Sequence, residues 1–269
     1  TVGGASSSTN YTNRTGYAGQ LADVVAMKVV ATTGTLTISE RGTRQFVAVI
    51  TYDDQSLAAP AAERMTWSVV GGPLSMSAAG LAMAGSVYQD AGAGVRAAYL
   101  TFSDTVGITV VNIGLDDFGS YAADGLPDTW QVQYFGESGI HPAAGADADY
   151  DGLTNLQEYA FGTNPSQSYG GMLRWSGASL LERGVPTPFA SGTAGSFNFR
   201  AVFARRKNYV AAGLSYTVEF SGDLSTWKAS TSIPSVLADD GEIQAVSVPY
   251  PFFVNGKKAT YFRVKVQSN

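Results

Sequence analysis

The stretch Asp147-Ala148-Asp149-Tyr150-Asp151-Gly152-Leu153-Thr154-Asn155-Leu156-Gln157-Glu158 restricts the fold of this chain more than any other part. It packs four carboxylates into a short segment, and like charges so crowded repel one another unless a cation neutralises them. Calcium takes six to eight oxygens at about 2.3–2.6 Å, and a twelve-position loop supplies them from positions 1, 3, 5, 7, 9 and 12. Those positions hold Asp147, Asp149, Asp151, the Leu153 carbonyl, Asn155 and Glu158, so these six are the candidate metal ligands and calcium is the expected cofactor. Gly152 stands where such a loop turns sharply around the ion.

The flanks differ. His141 to Ala146 contains Pro142 and Gly145, which disfavour an entering helix. Thr154 to Phe161 is apolar at Leu156, Tyr159 and Ala160 and is followed by Gly162, the pattern of a short helix with a glycine stop. The loop is thus expected to lead into one helix and is not a full EF-hand. Asp147 to Pro165 resembles the thrombospondin type 3 and dockerin-like calcium repeats of secreted bacterial proteins, and Asp124-Gly125-Leu126-Pro127-Asp128-Thr129-Trp130-Gln131 resembles the half-repeat that precedes them. In that half, Ser120, Ala122 and Gln131 stand where acids are usual, so the resemblance implies one ion rather than two. Asp124 and Asp128 then either cap a helix over 128–135 or lend an oxygen to the one site.

Around this loop the chain alternates with period 2. Residues 26–30, 35–38, 45–52, 65–70, 97–102 and 107–111 are rich in β-branched and aromatic side chains and separated by Gly, Pro and Asp turns. That spacing predicts an antiparallel sandwich with Trp67 in its core. Segments 172–175, 195–202, 214–220, 244–248 and 260–266 repeat the pattern after the loop. The expected fold is mainly β: two β-sandwich domains joined by a small calcium-binding module with short helices. The expected divisions are an extended N-terminal arm over 1–20, a first sandwich over 21–112, the calcium module over 113–169 and a second sandwich over 170–269. The run Glu40-Arg41-Gly42-Thr43-Arg44-Gln45-Phe46, with Tyr52-Asp53-Asp54 and Thr66-Trp67-Ser68-Val69, resembles bacterial immunoglobulin-like domains of surface proteins. The segment Tyr216 to Trp227 with the closing strand Tyr261-Phe262-Arg263-Val264 resembles C-terminal β-domains behind such calcium modules in secreted verrucomicrobial proteins. Together these likenesses imply an extracellular or cell-surface setting.

Several function classes are disfavoured. A net charge of −5 offers no basic stripe for nucleic acid, and Arg205-Arg206-Lys207, the one basic cluster, is expected in a solvated turn. No apolar run approaches the roughly 20 residues of a membrane span. With no cysteine and only His141, neither a thiolate nucleophile nor a two-histidine zinc site can form, and there is no G-x-S-x-G elbow. Gly92-Ala93-Gly94-Val95-Arg96-Ala97 follows the letters of a dinucleotide fingerprint but lies among strands. The acid pairs Asp53-Asp54, Asp116-Asp117 and Asp239-Asp240 fall in turns, where solvated carboxylates are usual. A non-enzymatic protein is therefore expected. One reading is a self-assembling filament or surface-layer subunit, in which the small-residue arm adds a strand to a neighbouring copy. The other is a polysaccharide-binding or adhesion module that uses some of its 14 Tyr, 13 Phe and 4 Trp as stacking platforms.

Overall fold

The computed structural model describes residues 6–7, 12–13, 22–137, 143–168, 171–193 and 196–268. His141 and most of the arm lie outside the described residues. Within the arm, Ser6–Ser7 pairs antiparallel with Thr12–Asn13. The molecule is mainly β and has two compact units, Thr1–Gly119 and Ser120–Asn269.

In the first unit one sheet is built from β2 (Thr37–Ser39), β4 (Thr66–Val70), β7 (Ala91–Tyr99) and β8 (Phe102–Val111), in the order β2-β8-β7-β4. The other holds β1 (Val24–Ala31), β3 (Thr43–Tyr52), β5 (Leu74–Met76) and β6 (Leu81–Ala84), in the order β1-β3-β6-β5. Alternation decides which face each strand buries: Phe46, Ala48 and Ile50 point inward while their neighbours are only half-buried. Both sheets contribute to one core, Val29, Phe46 and Ala82 from one and Ile38, Val95 and Ile108 from the other. Trp67 packs against that core, half-buried. Residues 92–97 lie inside β7, as a strand and not a phosphate loop.

Two boundaries differ from the sequence expectation. Residues 97–102 are not one strand, because Leu100 adopts φ 54° and Tyr99 pairs with Phe102 across a tight hairpin. The first unit also continues to Gly119 rather than ending at 112. Buried Glu40 accepts from the amides of Val87, Ile113 and Gly114 at 3.1, 2.8 and 2.9 Å, and Arg41 pairs with Asp117 at 2.9 Å. Burial opposes the Glu40 charge, yet these three N–H donors and Arg41 hold its pKa below the usual carboxylate range.

The second unit begins with helix α1 (Asp128–Phe135) and helix α2 (Asn155–Phe161). Its sheets follow: β9 (Thr187–Thr193), β10 (Ser196–Arg206), β12 (Ser235–Asp239) and β13 (Ile243–Pro249) order as β9-β10-β13-β12, and β11 (Leu214–Ser221) pairs with β14 (Tyr261–Ser268). Phe203, Val246, Phe220 and Val264 from the two sheets share a core with Phe161 of α2. The expected free-standing module over 113–169 is therefore not a third unit, since its helices are part of the C-terminal one. Among the described residues no helix is long and apolar enough to cross a membrane.

Candidate metal centre

The loop 147–158 gets its shape from its own acids. Asp147 accepts from the amides of Asp151 and Gly152 at 3.2 and 2.9 Å, Asp149 accepts from Asp151 N at 3.2 Å, and Asp151 accepts from Leu153 N at 2.8 Å. Each carboxylate thus replaces a backbone partner in a tight turn, as short acidic side chains do. Tyr150 at φ 63° and Gly152 at φ 95° occupy left-handed backbone that bends the chain around the cluster. As a result one oxygen from each of Asp147, Asp149 and Asp151 lies within 4.8 Å of the others.

Where the loop ends, α2 begins with a capping box. Thr154 Oγ1 accepts from Gln157 N at 3.3 Å, while Gln157 Oε1 accepts from Thr154 N at 2.9 Å. Asn155 is tied back to the loop entry, its amide to Ala146 O at 2.8 Å and its Nδ2 to Ala143 O at 3.0 Å. Leu153, whose carbonyl is the position-7 candidate, drops its side chain onto the C-terminal core. Gly162 closes the helix at φ 75°, and a Cβ there would meet Ile243 Cγ1 at 2.7 Å, so the stop needs glycine for both conformation and space.

The far end of α2 is held by Arg206 and Tyr216, and the first of these was expected elsewhere. Arg206 is buried rather than in a solvated turn: its Nε donates to Tyr159 O at 2.7 Å, its Nη1 pairs with Glu242 at 2.8 Å, and its guanidinium lies 3.9 Å from the Tyr159 ring centroid. Tyr216 Oη donates to Ala160 O at 2.7 Å. Two carbonyls in the last turn, which a helix end leaves unpaired, are thereby satisfied by strand residues. Trp130 of α1 packs edge-on to Tyr159 at 5.5 Å, joining the two helices through Leu126, Ala160 and Leu214.

These anchors force the last acid of the loop into the protein. Glu158 is 0% exposed, and its Oε2 has no hydrogen-bond donor among the described residues. The buried Oδ2 of Asp149 likewise has none. Burial, followed by the charges of Asp149 and Asp151, pushes the Glu158 pKa up to about 8, and Thr163 Oγ1 at 3.5 Å offsets little of this. Asp149 is also pushed up, by burial and then by Asp151. The charges of the three aspartates act on Glu158, the last acid of the same loop. Buried carboxylate oxygens without donors among the described residues, in one loop with three clustered carboxylates, have the chemistry of a hard-cation site.

The half-repeat over 120–131 does something else. Pro127 is the N-cap of α1 and makes no side-chain cap hydrogen bond, and Asp128 is buried in the helix's first turn. Asp124 accepts from Leu126 N at 2.9 Å and Gln131 Nε2 at 2.6 Å, which shapes the turn before the helix. Elsewhere the turn acids are engaged locally: Asp54 binds Ser56, and Asp239 and Asp240 pair with Lys207 and Arg183. No family model and no curated protein sequence matches the chain.

Proposed function

We propose that this chain is a non-enzymatic structural protein of a bacterial cell surface or extracellular fibre, whose second unit is held in shape by one calcium ion in the loop 147–158. The observation that supports this reading most is the pair of buried donorless oxygens, Glu158 Oε2 and Asp149 Oδ2, beside the three-aspartate cluster. The ligand set is Asp147, Asp149, Asp151, Asn155, Glu158 and the Leu153 carbonyl. An oxygen-only donor set with four carboxylates suits calcium, and extracellular sites bind it with Kd of about 10⁻⁴–10⁻³ M, which the millimolar calcium outside cells fills. The ion's task is mechanical: it neutralises the loop and fixes the start of α2, whose other end is pinned by Arg206 and Tyr216.

Calorimetric titration of the chelated protein should show one site per chain. For a Kd of about 10⁻⁴ M, a millimolar of calcium stabilises by RT ln(1 + [L]/Kd), about 1.4 kcal/mol. For a unit of this size that raises the melting temperature by about 3–6 °C. Absence of bound calcium at millimolar concentration would sink the proposal. Assembly is assigned to the arm over 1–20, which is too polar to form a core and suited to adding a strand to a neighbour. Deleting residues 1–20 should leave soluble calcium-binding monomers; filaments of the truncated protein under the electron microscope would refute the role of the arm.

A further inference from the structure

The second unit carries a cavity of about 640 Å³ far in character from the acidic loop. Four chain segments form it: the start of β9 at Pro188, residues 198–200 of β10, the turn 249–252 and residues 258–260 before β14. Backbone bonds knit these walls together, Tyr250 N to Phe199 O at 2.9 Å, Ala259 N to Phe252 O at 3.2 Å and Thr260 N to Ser221 O at 3.0 Å. The cavity is therefore preformed, and its size is that of small-molecule sites, about 300–1,000 Å³.

Its chemistry is specific. Phe252 is 89% exposed at the cavity, and Phe199 is 52% exposed. Tyr250 forms a fixed wall, its ring tilted against Phe220 at 4.7 Å and edge-on to Phe262 at 5.8 Å. Arg200 is half-buried and oriented by Ser247, with Nε on Oγ at 2.8 Å and Nη2 on the carbonyl at 3.3 Å. Lys258 is exposed at the rim. No Asp or Glu lines the cavity although the chain as a whole carries −5, so its charged groups are both cations. Asn198 and Thr260 add neutral hydrogen-bonding groups, and Pro249 and Pro251 offer carbonyls without amides.

A ligand for such a cavity needs an apolar flat face to lie on the rings, hydroxyls for the neutral groups and a negative charge for Arg200 and Lys258. We infer that this cavity is a binding site for an acidic glycan, a uronate-bearing sugar chain, with Phe252 as the stacking platform and Arg200 and Lys258 as carboxylate partners. It is independent of the calcium loop and of the arm.

Heteronuclear NMR and calorimetric titration of the whole protein, with calcium matched in both solutions, test this. The probes are a trigalacturonate, a neutral cello-oligosaccharide, a proline-rich peptide and vesicles of anionic phospholipid. Trigalacturonate should bind saturably and shift the amides of Asn198, Phe252 and Thr260, and should weaken as salt is raised. Lys258→Ala and Phe252→Ala, both at exposed positions, should each weaken it about tenfold or more with unchanged melting curves. No saturable binding of trigalacturonate overturns the inference. So does equal or tighter binding of the neutral sugar, the peptide or the vesicles, or full retention of trigalacturonate binding by both variants.

Discussion

Glu158→Gln separates the electrostatic cost of the loop from the ion that offsets it. Because the folded pKa of Glu158 is raised, from 4.5 to about 8, the folded chelated protein holds this proton more tightly than the unfolded chain does. The sign follows: the stability tied to that proton is complete below the unfolded pKa and is lost as pH rises from about 4.5 to about 8. The slope is about 1.36 kcal/mol per pH unit, so from roughly pH 5 to 7 the loss is about 2.5 kcal/mol at most, and about half that if water enters the loop. Asp149 adds to it in the same sense. The acids held low, Glu40, Asp54, Asp223, Asp239, Asp240 and Glu242, have the opposite sign and lose their contribution as pH falls through the ordinary carboxylate range, so the difference between the natural protein and Glu158→Gln isolates the glutamate. Urea unfolding in EDTA should therefore give falling stability across the window for the natural protein and a shallower line for Glu158→Gln. In saturating calcium the ion replaces the proton, the natural protein loses this slope, and it becomes more stable than the variant. Flat stability of the chelated natural protein across the window, or an undiminished calcium response in the variant, would refute the reasoning.

Arg206→Met keeps the apolar stem but removes the donor to Tyr159 O and the partner of Glu242. A buried charged hydrogen bond is worth about 1.5–3 kcal/mol, so urea unfolding of the calcium-loaded protein should show that loss, whereas Glu242, half-exposed, costs little when freed; a change below about 0.5 kcal/mol would show that Arg206 does not hold α2. Glu40→Gln leaves one acceptor oxygen for the amides of Val87, Ile113 and Gly114 and should destabilise the first unit by about 1–3 kcal/mol. That loss should appear as earlier hydrogen exchange over 87–114 and be unchanged by calcium; protection that rises with calcium would tie the two units together and refute the assignment.

What the sequence discloses and what it hides divide along range of contact. Local rules suffice for the strand faces, as in the alternating burial of Phe46, Ala48 and Ile50, and for α2, whose Thr154 cap and Gly162 stop stand in plain view. Where a turn lacks its usual residues the reading fails: Leu100 takes a left-handed conformation that glycine or asparagine would have announced. The strand Thr187–Thr193 also escapes notice, because Pro188 and Gly192 argue against a strand, yet both are tolerated at the edge of a sheet. The loop ligands are legible as residue types, since their spacing is short. Their energetic state is not, because Glu158 is buried through the packing of Tyr159 and Phe161, and those are fixed by Arg206, Tyr216 and Ile243 from strands distant in sequence. The same distant strands explain why no separate calcium module exists. A loop of four acids cannot fold by itself without an ion, but a helix clamped at its far end by a sandwich presents its glutamate to the loop before any ion arrives. On the proposed reading, metal affinity is a property of the whole second unit, and Arg206→Met should weaken calcium binding in a calorimetric titration without touching a proposed ligand.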